Sequence, residues 1–243
     1  MGRNRLLKFL QWIGDCVDDL SGVIFPHVCE VCAGTLVKGE DTICLQCRYE
    51  MPRVRLHREE FSEIHRRLAG HAAIDRAASW FYYIRESPYA RMLQRAKYNS
   101  RPQLARTLGA MYAGEIRTDG FFDGIDIILP VAMHRWKKLT RGYNQAERIA
   151  QGISDVTGIP VATNLTMPHR HRTQTRRRAY ERWLNTRGIF HVDSPAELQD
   201  KHILLVDDII TTGATLHAAA EAIHNAAPTA RISVISLGLT HSS

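Results

Sequence analysis

Cysteine is scarce in this sequence and long apolar runs are absent, and each lack removes a class of protein. Only five of 243 residues are cysteine, too few for a disulfide framework to stand in for a hydrophobic core. No stretch reaches the roughly 18 consecutive apolar residues that a membrane-spanning helix needs. The basic start, MGRNRLLKFLQWIGDCVDDL, has its apolar run broken by Gln11, Gly14 and Asp15, and no small-residue cleavage site follows. The expectation is a cytoplasmic protein with no membrane span. Collagen-like periodicity, low-complexity tracts and internal repeats are also missing. The hydrophobic fraction of 44% excludes a disordered chain.

What is present is enough chain for one sizeable domain and an appendage, or for two small domains. The formal net charge of +7 is unevenly spread. Residues 1–60 sum to −1, residues 61–187 to +12 and residues 188–243 to −4. A basic middle suits phosphate-rich partners, nucleotides, pyrophosphates or nucleic acid, and equally a solvated surface. Near the N-terminus, Leu6, Leu10, Ile13, Val17 and Leu20 recur at helical spacing, which predicts one amphipathic face. Asp15, Asp18 and Asp19 favour packing against protein over a membrane surface. Cys16 falls in the same stretch and reads as a small buried hydrophobe.

Four cysteines form two pairs, Cys29-x2-Cys32 and Cys44-x2-Cys47, with eleven residues between them. Each pair can bend into a knuckle that aims two thiolates at one ion, and two knuckles complete a tetrahedron. The expectation is a structural zinc site on Cys29, Cys32, Cys44 and Cys47, because four thiolates leave no position for a catalytic water.

The strongest signal is His202-Ile-Leu-Leu-Val-Asp-Asp-Ile-Ile-Thr-Thr-Gly-Ala-Thr-Leu216. The apolar run predicts a buried parallel strand over 202–206, with Asp207 and Asp208 at its carboxyl end, where open α/β sheets bind ligands. Thr211, Thr212, Gly213, Ala214 and Thr215 then turn into a helix from about Ala214 through Ile223. Backbone N–H groups, hydroxyls and the helix dipole suit a phosphate there, and the acids suit sugar hydroxyls or a metal. No Gly-Lys-Ser/Thr follows, which excludes a Walker A loop.

These residues, LLVDDIITTGATL, resemble the phosphoribosyl pyrophosphate (PRPP) motif of type I phosphoribosyltransferases. The chain from about Val23 onward resembles the competence-protein ComF family, which joins such a domain to an N-terminal four-cysteine zinc module. Lys97-Tyr98, Ile127-Ile-Leu-Pro-Val131 leading into Arg141-Gly-Tyr-Asn-Gln145, and Gln174, Arg182 and Asn185 ahead of Gly188-Ile-Phe190 match that family. Ala132-Met133 stand where the family often shows a second proline. The resemblance implies a twisted, mostly parallel α/β sheet flanked by helices, plus a small zinc-ribbon-like module. It implies that Asp207, Asp208 and Arg141 act in catalysis on the magnesium salt of PRPP or a related sugar phosphate. It further implies a flexible loop carrying Arg172, Gln174, Arg182 and Asn185, and a role with competence-machinery proteins on incoming single-stranded DNA.

The residues themselves support parts of this. Strand Ile125–Val131 feeds the basic loop MHRWKKLTRGYNQ, where Arg141, Gly142, Asn144 and Gln145 can approach a pyrophosphate. Residues 170–187 carry seven arginines and a single acid, Glu181. That stretch fits a loop closing over a diphosphate, whose growing charge arginines neutralise. It fits equally a nucleic-acid patch in which Arg176, Arg177 and Arg178 meet phosphates while Tyr180 and Trp183 stack on bases, or a solvated surface helix. The predicted organisation is an N-terminal helix and four-cysteine module over 1–60, a helical linker over 61–77 and a transferase-like domain over 78–243. Strands are expected near 78–84, 125–131, 160–166, 188–192, 202–206 and 231–237, alternating with helices as in a doubly covered sheet. Three readings of function follow: an enzyme moving phosphoribosyl from PRPP to an unspecified acceptor, a single-stranded DNA-handling protein that uses the same site for binding, or, minimally, an interaction scaffold whose zinc ribbon docks a partner.

Overall fold

Paired cysteines and tight turns shape the beginning of the chain, and apolar strands shape the rest. A computed structural model describes residues 27–70, 72–98, 101–167 and 188–241, in two units, Met1–Met51 and Pro52–Ser243. The amphipathic stretch from Leu6 to Leu20, with Cys16, lies outside the described residues.

In the first unit the Cys29 N–H donates to the Gly34 carbonyl at 2.8 Å and the Ala33 N–H to the Cys29 carbonyl at 2.9 Å. Val28 and Thr35 form an antiparallel bridge around this knuckle. The second knuckle opens helix α1 (Leu45–Glu50), with the Cys44 sulfur accepting from the Cys47 N–H at 3.5 Å. Between the knuckles, the Glu40 carboxylate accepts from the N–H groups of Val37 at 3.0 Å and Leu45 at 2.7 Å. Those two bonds pull its carboxyl below the usual carboxylate range.

The second unit is built on a parallel sheet of β1 (Ile74–Tyr82), β2 (Ile127–Pro130), β5 (His202–Ile210) and β6 (Arg231–Leu239), in the order β1-β6-β5-β2. The runs are apolar almost throughout because helices cover both faces. β3 (Leu165–Thr166) and β4 (His191–Val192) pair only with each other, as a short antiparallel ribbon. The strand expected over 160–166 therefore divides: Val161 bridges Ile128 at the sheet edge, and Leu165–Thr166 joins the ribbon.

The helices are α2 (Glu63–Arg67), α3 (Pro88–Tyr98), α4 (Pro102–Ile116), α5 (Arg135–Arg141), α6 (Gln145–Thr157) and α7 (Ala214–Ala226). Strand side chains alternate between faces. Leu129, Ile203, Leu205, Ile232 and Val234 share one core with Leu216, Ala219, Ala220 and Ile223 of α7. Ile64, Leu68, Ala72 and Ala77 belong to that core too. Residues 61–77, expected as a linker, thus supply α2 and the start of β1. Elsewhere α6 lies on β2 and β5, and α4 packs along α6. Their approach is close because glycines stand at the crossing: a Cβ on Gly109 would lie 2.4 Å from the Ile149 carbonyl oxygen, and one on Gly152 would lie 1.9 Å from that of Arg106.

The end of β5 differs from the reading of its sequence in a way that matters for the site. β5 does not stop at Val206 but runs to Ile210, since β6 keeps pairing with it: Asp207 faces Ser236 and Ile210 faces Leu239. On the other side β2 ends at Pro130 opposite Val206, closed by the Val131 N–H donating to the Val206 carbonyl at 2.9 Å. From Asp207 onward β5 has lost its β2 neighbour. A crevice opens there, where open α/β sheets take their ligands.

Candidate functional site

The crevice is a cleft of about 420 Å³. β5 contributes Asp207, Asp208 and Ile209, the turn after it Thr211, and the first turn of α7 Thr215. The segment after β2 contributes Ala132, Met133, His134, Lys137, Arg141 and Gln145. Lys97 at the end of α3, Tyr83 and Arg85 after β1, and Thr240 after β6 add to the polar lining. Met167, Ile189 and Phe190 form an apolar wall beside the β3–β4 ribbon.

Asp207 is the electrostatically unusual group. Burial first, and the neighbouring Asp208 carboxylate second, push its carboxyl up to about 7, although Lys97 and Lys137 act in the opposite sense. Its Oδ1 accepts the Asp208 N–H at 2.8 Å. Asp208 in turn pairs with Lys97, Oδ2 to Nζ at 2.7 Å. Two acids with such different partners can accept hydroxyl hydrogens or share a cation.

The turn after β5 is fixed by a glycine and an arginine. Gly213 takes φ +83°, a left-handed conformation that favours glycine, and α7 begins at Ala214. A Cβ on Gly213 would lie 3.0 Å from the Arg67 carbonyl oxygen, so glycine also permits α2 to pack close. Arg67 fixes this turn through its guanidinium, donating to the Thr211 carbonyl at 2.6 Å and the Thr240 carbonyl at 2.5 Å. It also pairs with Glu63. The Thr212 hydroxyl oxygen accepts the Ala214 N–H at 3.4 Å. The first turn of α7 thereby presents N–H groups, hydroxyls and the positive end of the helix dipole.

The basic loop is equally ordered by its own residues. Gly142 ends α5 at φ +80°. Asn144 is buried and caps α6, accepting from the Ala146 N–H at 3.1 Å and donating to the Val131 carbonyl at 2.9 Å. Arg141 donates to Gln145 Oε1 at 3.1 Å, and Gln145 Nε2 donates to the Lys97 carbonyl at 3.3 Å. Of the residues expected from sequence, Asp207, Asp208, Arg141, Gln145, Thr211 and Thr215 line the cleft. Thr212, Gly213, Ala214, Gly142 and Asn144 shape the turns that present them. Arg172, Gln174, Arg182, Asn185, Arg176, Arg177 and Arg178 lie outside the described residues. Arg67 was not singled out from sequence; it sits 144 positions from Thr211 beside another arginine, with no local pattern to mark it.

The four cysteines come together as their spacing predicts. One sulfur from each of Cys29, Cys32, Cys44 and Cys47 lies within 4.8 Å of all the others, and Cys32 and Cys44 are 3.9 Å apart. Sulfurs held at about 2.3 Å from a tetrahedral zinc stand roughly 3.8 Å from one another. The Cys29 sulfur accepts N–H groups of Cys44 at 3.3 Å and Val31 at 3.4 Å. Burial opposes ionisation of this thiol, but backbone N–H bonds, Cys32 foremost, draw it down to about 7. The donor set fits a divalent metal such as zinc. Among the described residues no helix is long and apolar enough to cross a membrane.

Comparison with known proteins finds a domain match and several relatives. Residues 136–240 match the family model of the phosphoribosyl transferase domain. The chain is 30% identical over 135 residues to competence protein F of Haemophilus influenzae, covering 54% of this chain and only 59% of that protein. It is 24% identical over 216 residues to competence protein ComFC of Bacillus subtilis, covering 83% of this chain and 86% of the relative. It is also 24% identical over 204 residues to DNA utilization protein YhgH of Escherichia coli O157:H7, covering 78% and 80%. Adenine phosphoribosyltransferase from Saccharomyces cerevisiae matches in structure with a TM-score of 0.39 and 15% identity, over 59% of this chain and 72% of that one. The chain thus carries a segment that matches the phosphoribosyl transferase domain, and it is similar to competence proteins F and ComFC.

Proposed function

We propose that the cleft binds the magnesium salt of PRPP and transfers its phosphoribosyl group to an acceptor with loss of pyrophosphate. The observation that carries this reading is the single cleft that unites Asp207 and Asp208, the Thr211–Thr215 turn, and Lys137 with Arg141 from the neighbouring strand's loop. The 5′-phosphate goes to the N-terminus of α7, whose N–H groups and threonine hydroxyls donate to it. The ribose hydroxyls go to Asp207 and Asp208. The diphosphate goes to Lys137, Arg141 and Gln145, which stabilise the charge that grows on it as the bond to C1 breaks. Positioning and electrostatics of this kind need no general base among the lining residues. The apolar wall of Met167, Ile189 and Phe190 keeps water from one side of the cleft. Isothermal titration tests the reading: wild type binds magnesium PRPP, and Asp207→Asn/Asp208→Asn loses at least about tenfold in affinity, or 1.4 kcal/mol. A wild type that does not bind PRPP at millimolar concentration overturns it.

A second reading is favoured by the printed names of the relatives, competence proteins and a DNA utilization protein. In it the chain handles single-stranded DNA beside competence-machinery proteins, using the +12 middle segment for electrostatic attraction. Affinity for a single-stranded oligonucleotide then falls steeply with salt, and Arg176→Ala/Arg177→Ala/Arg178→Ala weakens it further. Unchanged affinity in that variant removes the arginine patch from the reading. In both readings Cys29, Cys32, Cys44 and Cys47 hold a zinc ion whose role is structural, since four sulfur donors leave no open position.

A further inference from the structure

Lys97 is in direct contact with one of the paired acids. Its Nζ lies 2.7 Å from Asp208 Oδ2, and both side chains retain only 18% of their surface exposure. The main chain beneath it is pinned by the loop that follows Arg141. Gln145 Nε2 donates to the Lys97 carbonyl at 3.3 Å, and the Tyr143 hydroxyl donates to the Ala96 carbonyl. The backbone is thus fixed from one wall of the cleft while the ammonium reaches to another on a flexible four-carbon stem.

That arrangement has a consequence for any ligand with adjacent hydroxyls and a diphosphate. Hydroxyls that hydrogen-bond Asp208 compete with the ammonium for the same oxygens. An ammonium left without a partner in a half-buried cleft is unfavourable. The cleft offers it one compatible replacement, the polyanion that also meets Lys137 and Arg141. We infer that Lys97 is a tethered counter-charge: it neutralises Asp208 until a ribose diphosphate arrives, then passes from the carboxylate to the diphosphate as the ribose hydroxyls take Asp208. Lys97 is then a binding residue for the leaving group, and Asp208 restrains it. The inference rests on the phosphoribosyl reading given above.

The exchange predicts opposite responses to one substitution. Asp208→Asn weakens magnesium PRPP, because the ribose loses an acceptor. The same change tightens inorganic pyrophosphate measured without added divalent metal, because Lys97 is released. A partly exposed ion pair contributes up to about 1 kcal/mol, so release gives a gain of roughly threefold to fivefold. Removing a negative charge would attract pyrophosphate even without Lys97, so the decisive comparison is a double-mutant cycle. Isothermal titration of pyrophosphate is done on wild type, Lys97→Met, Asp208→Asn and the double variant, each checked for folding by thermal unfolding. The gain on Asp208→Asn is expected in the Lys97 background and at most a third of it in the Lys97→Met background. An equal gain in both backgrounds, no gain in either, or a wild type without measurable affinity for pyrophosphate refutes the exchange. If Lys97→Met does not fold, Lys97→Gln takes its place, keeping a hydrogen-bond donor toward Asp208 without the charge. A wild type that binds pyrophosphate and completes the cycle but does not bind PRPP overturns the phosphoribosyl reading and leaves the release of Lys97 standing.

Discussion

Arg67→Met separates the support of the phosphate turn from its chemistry. Arg67 reaches from α2 and donates to the Thr211 carbonyl at 2.6 Å and the Thr240 carbonyl at 2.5 Å, joining the ends of β5 and β6. Its side chain is only 11% exposed, so solvent screens these bonds little. A hydrogen bond to a charged group contributes about 1.5–3 kcal/mol, and methionine keeps much of the stem's packing. Two such bonds, with some recovery as water reaches the freed carbonyls, give an expected loss of about 2–4 kcal/mol. Urea unfolding reads this as a lower midpoint with an unchanged slope. The turn that Arg67 holds is the one assigned to the 5′-phosphate, so affinity for PRPP falls with stability. Arg67→Lys, which keeps the charge but not the planar fork, lies between the two. A variant within about 0.5 kcal/mol of wild type refutes the argument that this arginine fixes the turn.

Other consequences follow from the same geometry. Asp207 is held up to about 7 in the folded chain, whereas an unfolded aspartate titrates near about 3.9. Between those values the folded state binds the extra proton, so this group makes stability fall as pH rises from about 4 to about 7, and the loss levels off above. The urea midpoint of wild type relative to Asp207→Asn should therefore decline across that window; a difference independent of pH contradicts the assignment. Gly152→Ala places a methyl 1.9 Å from the Arg106 carbonyl oxygen and forces α4 from α6, at a cost of about 1–3 kcal/mol or more, read by thermal unfolding. No change would mean the helices do not cross that closely. Cys44→Ser leaves three sulfurs of the cluster, and metal analysis of the purified protein should show zinc falling well below the wild-type content. Wild type purified without bound metal would contradict the zinc assignment.

Much of the site is legible in the sequence because its signals are local. The run from Ile203 to Val206, the adjacent acids and the Thr-Thr-Gly-Ala-Thr turn lie in one stretch, and the two cysteine pairs in another. The extent of β5 is less legible. Asp207 and Asp208 interrupt the apolar pattern, yet backbone pairing with β6 continues through them to Ile210. The part played by residues 61–77 is hidden for a similar reason. Ile64 and Leu68 give a single helical step, too short to announce a core element, but both are fully buried under the sheet's partners. Arg67 is the least legible of all, while Lys97 is marked only by the family resemblance and not by its contact with Asp208. Each acts through a long side chain on a residue far along the chain, and only the packing of α2 and α3 brings them there.

The central claim is that one cleft holds PRPP by three separate groups of residues. A structure of the wild-type protein with magnesium PRPP tests it most directly. The account predicts the 5′-phosphate at the Thr211–Thr215 turn, the ribose hydroxyls on Asp207 and Asp208, and the diphosphate toward Lys137 and Arg141. A ligand bound elsewhere, or one reversed so that its diphosphate sits on the α7 turn, would contradict it.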